Sequence, residues 1–153
     1  MDIRIAVHED IEQICSLYNE FFAYNAEKDP VYFKAGKETG EYSKSVIDSN
    51  GSDLIVATLN NDILGLIHIR EGKTPPYDAL VQNRYAQIID FIVTKTHRKK
   101  GIGAQLMNAA KEWAKNRNLD YIELFVLQGA VDERNFYERN GFNTVMQTMR
   151  HML

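Results

Sequence analysis

The sequence predicts a single domain of the α/β (α+β) class over residues 1–153, with a mixed, mostly antiparallel sheet and helices on both faces. Two observations carry that prediction. Leu54–Leu59 and Ile63–Ile69 are strand-like runs joined by Asn60-Asn61-Asp62, a hairpin signal that demands antiparallel pairing. Tyr85–Val93, a helical stripe over Ile102–Asn116 and an apolar run over Tyr121–Leu127 form a strand–helix–strand crossover, which demands parallel pairing.

The elements are legible in order. Ile3, Ile5 and Val7 alternate with Arg4 and Ala6, the pattern of a short strand. Ile11, Ile14, Cys15, Tyr18, Phe21 and Phe22 follow helical spacing, with Asp10 or a neighbour near the N-cap. Cys15 falls on the apolar face, where a buried small hydrophobe outweighs a nucleophile. Between Asn25 and Asn50, Asp29-Pro30, Gly36 and Gly40 interrupt the pattern, leaving a loop and a short helix near Glu41–Ser49. After the hairpin, Arg70–Arg84 reads as a long loop with Pro75-Pro76, a candidate lid or dimer contact. The helical stripe Ile102, Leu106, Ala109, Ala110 and Trp113 ends near Arg117-Asn118. Tyr121–Leu127 is apolar enough to be buried on both faces. Asp132–Arg139 reads as a short helix closed by Asn140-Gly141, and Phe142–Leu153 as a final strand.

Composition narrows the function classes. A chain of 153 residues removes roughly 70% of its unfolded surface from water on folding. Hydrophobic content of 44% and charged content of 25% are those of a soluble globular protein. A net charge of −3 argues against general nucleic-acid binding and is mildly compatible with a cationic substrate. Cys15 is the only cysteine, so no intrachain disulfide forms and a reducing, cytoplasmic setting is expected. Neither a secretion signal nor an apolar run long enough for a bilayer is present, so no membrane partner is expected. The four histidines lack metal-ligand spacing, and no metal is expected.

The stretch Gln87–Ala104, QIIDFIVTKTHRKKGIGA, carries the chemistry. An apolar strand turns basic at Lys95, His97, Arg98, Lys99 and Lys100, then reaches Gly101-Ile102-Gly103 and a helix start. Helix N-termini present unpaired N–H groups and about half a positive charge, and glycines let an anion approach the backbone. This is the make-up of a phosphate-binding turn. A dinucleotide fingerprint is weakened because Leu106 stands where its third glycine belongs, although Asp120 and Glu123 lie at roughly the distance of an acidic ribose ligand. No P-loop run exists.

Arg98-Lys99-Lys100-Gly101-Ile102-Gly103 resembles the Arg/Gln-x-x-Gly-x-Gly/Ala signature of the GCN5-related N-acetyltransferase (GNAT) superfamily, and Tyr137-Glu138-Arg139-Asn140-Gly141-Phe142 its Tyr-x-x-x-Gly-Phe segment. The resemblance is specific over Tyr85–Phe142. It implies the acyl-CoA N-acyltransferase fold, with a central splayed parallel strand pair and acetyl-CoA as co-substrate. It implies pyrophosphate binding by the backbone of Lys99, Lys100, Gly101, Ile102, Gly103 and Ala104, with charge from Arg98 or Lys100. It implies pantetheine pairing along Phe91, Ile92 and Val93, and Tyr137 as the acid that protonates the leaving thiolate. The family often has Asn seven residues before this tyrosine and Ala four before it; this chain has Ala130 and Glu133, and Asn135 is out of register. Asp90, the only acid in its apolar run, is the candidate general base or a structural carboxylate; Glu20, Glu41 and Glu123 are weaker candidates. Tyr24, Tyr32, Phe33, Glu38, Glu41 and Tyr42 lie in the region that walls the acceptor site in the family. The implied activity is acetyl transfer to a primary amine of a small molecule or peptide by direct attack. The alternative is a non-catalytic CoA-binding or regulatory module, and a homodimer is a family expectation.

Overall fold

A computed structural model describes all residues, 1–153. Its elements are β1 (Asp2–Ile5), α1 (Ile11–Lys28), α2 (Glu41–Ile47), β2 (Ser52–Leu59), β3 (Asp62–Lys73), β4 (Arg84–Val93), α3 (Ile102–Asn116), β5 (Tyr121–Leu124) and α4 (Val131–Arg139). The strands form one sheet in the order β1-β2-β3-β4-β5, antiparallel throughout except for the parallel pair β4–β5. Asn60 and Asn61 take φ of 52° and 70°, and Leu59 pairs with Asp62. Two consecutive positive φ values are what a tight hairpin of this hand requires, and asparagine tolerates them.

Strand alternation divides the core in two. Ile55, Ala57, Ile67, Ile69, Ala86 and Ile88 pack against Ile102, Leu106, Met107, Ala110, Trp113 and Ala114 of α3. On the other face Leu54, Val56, Leu66 and Ile92 pack against Ile14, Leu17, Tyr18 and Val46 of α1 and α2. The far end of α3 is fastened to β2: Trp113 Nε1 donates to Asp53 at 2.7 Å, and Arg117 donates to the same carboxylate at 3.0 Å while stacking 3.8 Å from the indole centre. Asn118, at φ 53°, closes the helix.

One irregularity positions the site. His68 pairs with Asp90 but Ile69 pairs with Ile88, so Ile89 is an extra residue in β4. Such a bulge bends the strand that carries it. The β4–β5 ladder ends at Ile88–Leu124, immediately before it, so the two parallel strands part there. From Ile89 to Val93, β4 has a strand neighbour only in β3.

Three expectations need correction. The final strand Phe142–Leu153 does not form; residues 143–153 carry no regular secondary structure. The parallel pair therefore lies at the edge of the sheet. The strand expected over Tyr121–Leu127 stops at Leu124, its residues are half-buried or exposed, and Phe125 is 86% exposed, because no strand covers its outer side. The loop expected over Arg70–Arg84 shrinks to 74–83, tied by the Thr74 N–H to the Asn83 carbonyl at 3.0 Å. Arg70, Glu71 and Lys73 extend β3 despite their polarity, since Arg70 reaches Gln87 and Arg84 reaches Glu71 across the ladder.

Asp10 stands at the N-cap of α1, as the sequence predicts, but its side chain makes no capping hydrogen bond to that helix. It receives both guanidinium nitrogens of Arg4, at 2.6 and 2.8 Å, and the Val7 N–H at 2.8 Å. The Arg4 hydrogen bonds hold its carboxyl below the usual carboxylate range. A carboxyl lowered on folding stabilises fully above its unfolded pKa of about 3.9 and loses that contribution as pH falls through the lower folded value. Asp10→Asn is therefore expected to cost about 1–3 kcal/mol at neutral pH. In thermal melts its deficit against the parent should shrink as pH drops below about 4.

Candidate active site

The turn after β4 is held from both sides. Glu20 of α1 accepts from the Thr94 hydroxyl at 3.1 Å and the Lys95 N–H at 2.7 Å, and Arg98 Nε donates to the Val93 carbonyl at 3.0 Å. Lys99 (φ 60°) and Gly101 (φ 82°) then reverse the chain into α3. The first α3 hydrogen bond is from the Gln105 N–H to the Gly101 carbonyl, so the N–H groups from Lys99 to Ala104 have no acceptor within the chain. A Cβ built on Gly101 would meet open space. Arg98, Lys99 and Lys100 are exposed around these donors. Unpaired N–H groups, the positive end of a helix dipole and three cations together fit a pyrophosphate.

On the α3 side of the parted strands lies an aromatic cluster. Phe91 packs on Phe136 and Tyr137, with ring centres 5.5 and 6.2 Å apart, and Tyr137 also packs on Phe142 at 6.0 Å. The Tyr137 hydroxyl makes no hydrogen bond within the chain. Burial, with the nearby charge of Glu133, pushes its pKa above the ordinary phenol value, so it holds its proton at neutral pH. Tyr24 of α1 donates to Glu133 of α4, and burial followed by that hydrogen bond raises it to about 12. Ala130, at the N-cap of α4, is buried and offers no polar side-chain group.

The opposite face holds a polar network inside an apolar layer. Asp90 accepts from the Tyr18 hydroxyl at 3.0 Å and lies 3.5 Å from His68 Nδ1. His68 is buried, with Nδ1 2.7 Å from the Tyr42 hydroxyl and Nε2 2.8 Å from the Ser52 hydroxyl. Ser52 donates to the Ile69 carbonyl at 3.3 Å, which leaves its oxygen to accept from Nε2–H and leaves Nδ1 as an acceptor. Burial pushes both Tyr18 and Tyr42 above the phenol range, with the Asp90 charge next in importance, so both keep their protons. Asp90 forms the floor of a cleft of about 360 Å³ walled by Tyr18, Phe22, Lys37, Glu38, Thr39, Glu41 and Tyr42. Glu38 is buried there, accepting the Gly40 N–H at 2.5 Å. A cleft with three carboxylates, one lysine and aromatic walls favours a cation.

The structure gathers the residues singled out in the sequence into two groups on opposite faces of β4. The basic turn, Phe91 and Tyr137 lie on the α3 side, and Asp90 lies on the α1–α2 side. Glu38, Glu41 and Tyr42 do wall the Asp90 cleft; Tyr24 instead joins α1 to α4, and Tyr32 is 75% exposed. Glu20 is occupied by the β4 turn, and Glu123 lies on β5, away from the cleft. Cys15 is half-buried, its thiol pushed up by burial, the opposite of nucleophile activation. Sequence reasoning missed His68, Tyr18 and Ser52. The available signal was His68 alone in the run Ile67-His68-Ile69, the same signal that marked Asp90.

A family model for the acetyltransferase (GNAT) family matches residues 11–142. Streptothricin acetyltransferase A of Bacillus subtilis is 31% identical over 111 residues, 72% of this chain but only 58% of the relative's length. An uncharacterized N-acetyltransferase of Archaeoglobus fulgidus is 26% identical over 137 residues, covering 90% of this chain and 89% of its own. A crystal structure of the BH1408 protein of Bacillus halodurans superimposes with a TM-score of 0.95 at 24% identity, covering 100% of this chain and 99% of that one.

Proposed function

The chain belongs to the acetyltransferase (GNAT) family, and from that premise we propose that it moves an acetyl group from acetyl-CoA to a primary amine by direct attack. The observation that carries this reading is the pair of half-sites on the two faces of β4, meeting where β5 departs: a phosphate-binding turn with a proton-holding phenol on one side, an acidic cleft on the other. A thioester bound there supplies an activated acetyl group. The Lys99–Ala104 backbone and Arg98–Lys100 hold the pyrophosphate, and the unpaired side of β4 at Phe91–Val93 takes the pantetheine arm. The cleft orients the amine, and Asp90 takes its proton, directly or through water, as nitrogen bonds to the acetyl carbon. His68, fixed by Ser52, holds the Tyr42 hydroxyl beside Asp90. As the carbon–sulfur bond breaks, the Tyr137 hydroxyl meets the departing sulfur.

The raised Tyr137 bears on how much it does. A phenol above pKa 10 is a weaker acid than a thiol near 8.5, so it assists chiefly as a hydrogen-bond donor to the developing thiolate. Such a bond to a charged group contributes about 1.5–3 kcal/mol. Tyr137→Phe is expected to lower kcat by about 10- to 100-fold while acetyl-CoA affinity, measured by calorimetry, stays unchanged. An unaltered kcat assigns Tyr137 to packing alone.

The acceptor is an amine-bearing small molecule or peptide. The streptothricin acetyltransferase relative supports the small molecule, while the acidic walls of Glu38 and Glu41 suit a cationic amine of either kind. A panel of amines assayed with acetyl-CoA decides it. No turnover with any amine, together with acetyl-CoA binding, would favour the non-catalytic CoA-binding module. Neither a metal nor nucleic acid enters this reading, and a cytoplasmic location is proposed with it. No helix is long and apolar enough to cross a membrane.

A further inference from the structure

A side-chain hydrogen bond runs from one face of β4 to the other: Tyr24 of α1 donates to Glu133 of α4. The backbone shows which way round the strand it passes. The Thr94 N–H donates to the Leu64 carbonyl of β3 at 2.9 Å, and no peptide bond is cis. In a trans peptide the N–H and the carbonyl point opposite ways, so the Val93 carbonyl faces the gap left by β5. Arg98 Nε holds that carbonyl at 3.0 Å, and its guanidinium lies 5.4 Å from the centre of the Tyr24 ring. The Tyr24–Glu133 bond therefore passes the free edge of β4, and not the edge that β3 covers.

The two partners differ in what they have left to give. Tyr24 donates its only proton to Glu133, which fixes the carboxylate in place. Glu133 Oε1 takes that bond, while Oε2 makes none within the chain. Glu133 also stands one helical turn before Tyr137 on α4, close enough for its charge to act on that hydroxyl. A half-buried carboxylate oxygen without a partner thus lies between the anion turn and the phenol, beside the stretch from Val93 to Phe91. Such an oxygen repels a phosphate and accepts from an N–H.

We propose that Glu133 is a further binding residue, whose free oxygen accepts an amide N–H of the pantetheine arm, and that Tyr24 is the positioning residue that aims it. The inference rests on the acetyl-CoA reading, which runs the arm from the anion turn along Val93 to Phe91. The arm carries two secondary amides, and each N–H taken out of water needs an acceptor. The β4 edge offers backbone acceptors on one side only, and Arg98 already covers its Val93 carbonyl. On the opposite wall Ala130 has no polar side-chain group and Tyr137 is engaged with the sulfur, which leaves Glu133.

Calorimetry on the full chain with two ligands tests it: coenzyme A, and 3′-phospho-ADP, which keeps the phosphates but lacks the arm. Glu133→Ala should weaken coenzyme A binding by about 10- to 100-fold, the range for one hydrogen bond to a charged group. The same variant should bind the armless ligand as tightly as the parent or tighter. Glu133→Gln keeps an acceptor oxygen and should recover coenzyme A binding to within about 5-fold of the parent. Tyr24→Phe keeps the ring against Arg98; alone it should weaken coenzyme A about 3- to 10-fold, and in the Glu133→Ala background by nothing further. Equal losses for both ligands overturn the proposal, since the carboxylate would then act on the fold or on the phosphates. Unchanged or tighter coenzyme A binding overturns it too, and tighter binding would make the pair a bar across the gap. A parent that binds neither ligand overturns it together with the acetyl-CoA reading, whereas a parent that binds coenzyme A, with variants that break this pattern, overturns it alone.

Discussion

Asp90→Asn is expected to lower kcat by about 10²- to 10⁴-fold, the range that a positioned acid or base contributes. The substitution is close to isosteric. The remaining amide oxygen still accepts from Tyr18, so the apolar layer around the network should stay intact, and the melting temperature serves as the control. What is lost is the ability to take a proton. Acetyl-CoA affinity should hold, because the proposed phosphate contacts lie on the other face of β4. A companion variant, His68→Gln, separates position from proton transfer. If His68 only holds the Tyr42 hydroxyl beside Asp90, this variant should lower kcat less than Asp90→Asn and leave the pH profile in place. An Asp90→Asn enzyme with parental kcat would return the carboxylate to a purely structural role as the acceptor for Tyr18.

Gly103→Glu is expected to weaken acetyl-CoA binding by at least 100-fold in calorimetry, equivalent to losing about two charge-assisted hydrogen bonds. A carboxylate at this position repels the pyrophosphate and opposes the positive end of α3. Gly103→Ala is the paired control. A Cβ there would sit 3.4 Å from Phe136 and 3.5 Å from Phe91, ordinary contact, so alanine should bind nearly as the parent does. Binding should also fall with ionic strength, since exposed cations contribute to it. If the glutamate variant bound as tightly as the parent, the phosphates would lie elsewhere and the turn would be only a basic helix cap.

Features fixed by neighbours in sequence were readable before the structure. Asn60-Asn61-Asp62 encodes its own hairpin because the asparagines tolerate positive φ, and Lys99–Gly103 encodes a reversal into a helix because Gly101 does. The span of α3 follows from its apolar stripe and its Asn118 terminator. Features fixed by partners across the fold were not readable. His68 becomes part of the site only through the β3–β4 register and the bulge at Ile89, and neither has a local signature. Asp10 occupies the N-cap position its composition predicts, but that Arg4, six residues earlier, would take its side chain was not readable. Phe142–Leu153 has the composition of a strand, yet no edge within its own chain pairs with it. Strand propensity reports what a segment can do once a neighbour is supplied, and not whether its own fold supplies one.

The fastening of Trp113 to Asp53 and Arg117 has an optical consequence. It is the only tryptophan, is 5% exposed, and sits 11 positions along α3 from Ile102, about 16 Å at the helical rise. Emission at 295 nm excitation therefore comes from a single buried indole at the opposite end of the helix from the anion turn. Ligands at that turn should leave the spectrum almost unmoved, while denaturant should shift it to the red as the contact between α3 and β2 opens. Fluorescence on this protein is a reporter of unfolding with a silent background from binding, so a titration of one can be read in the presence of the other.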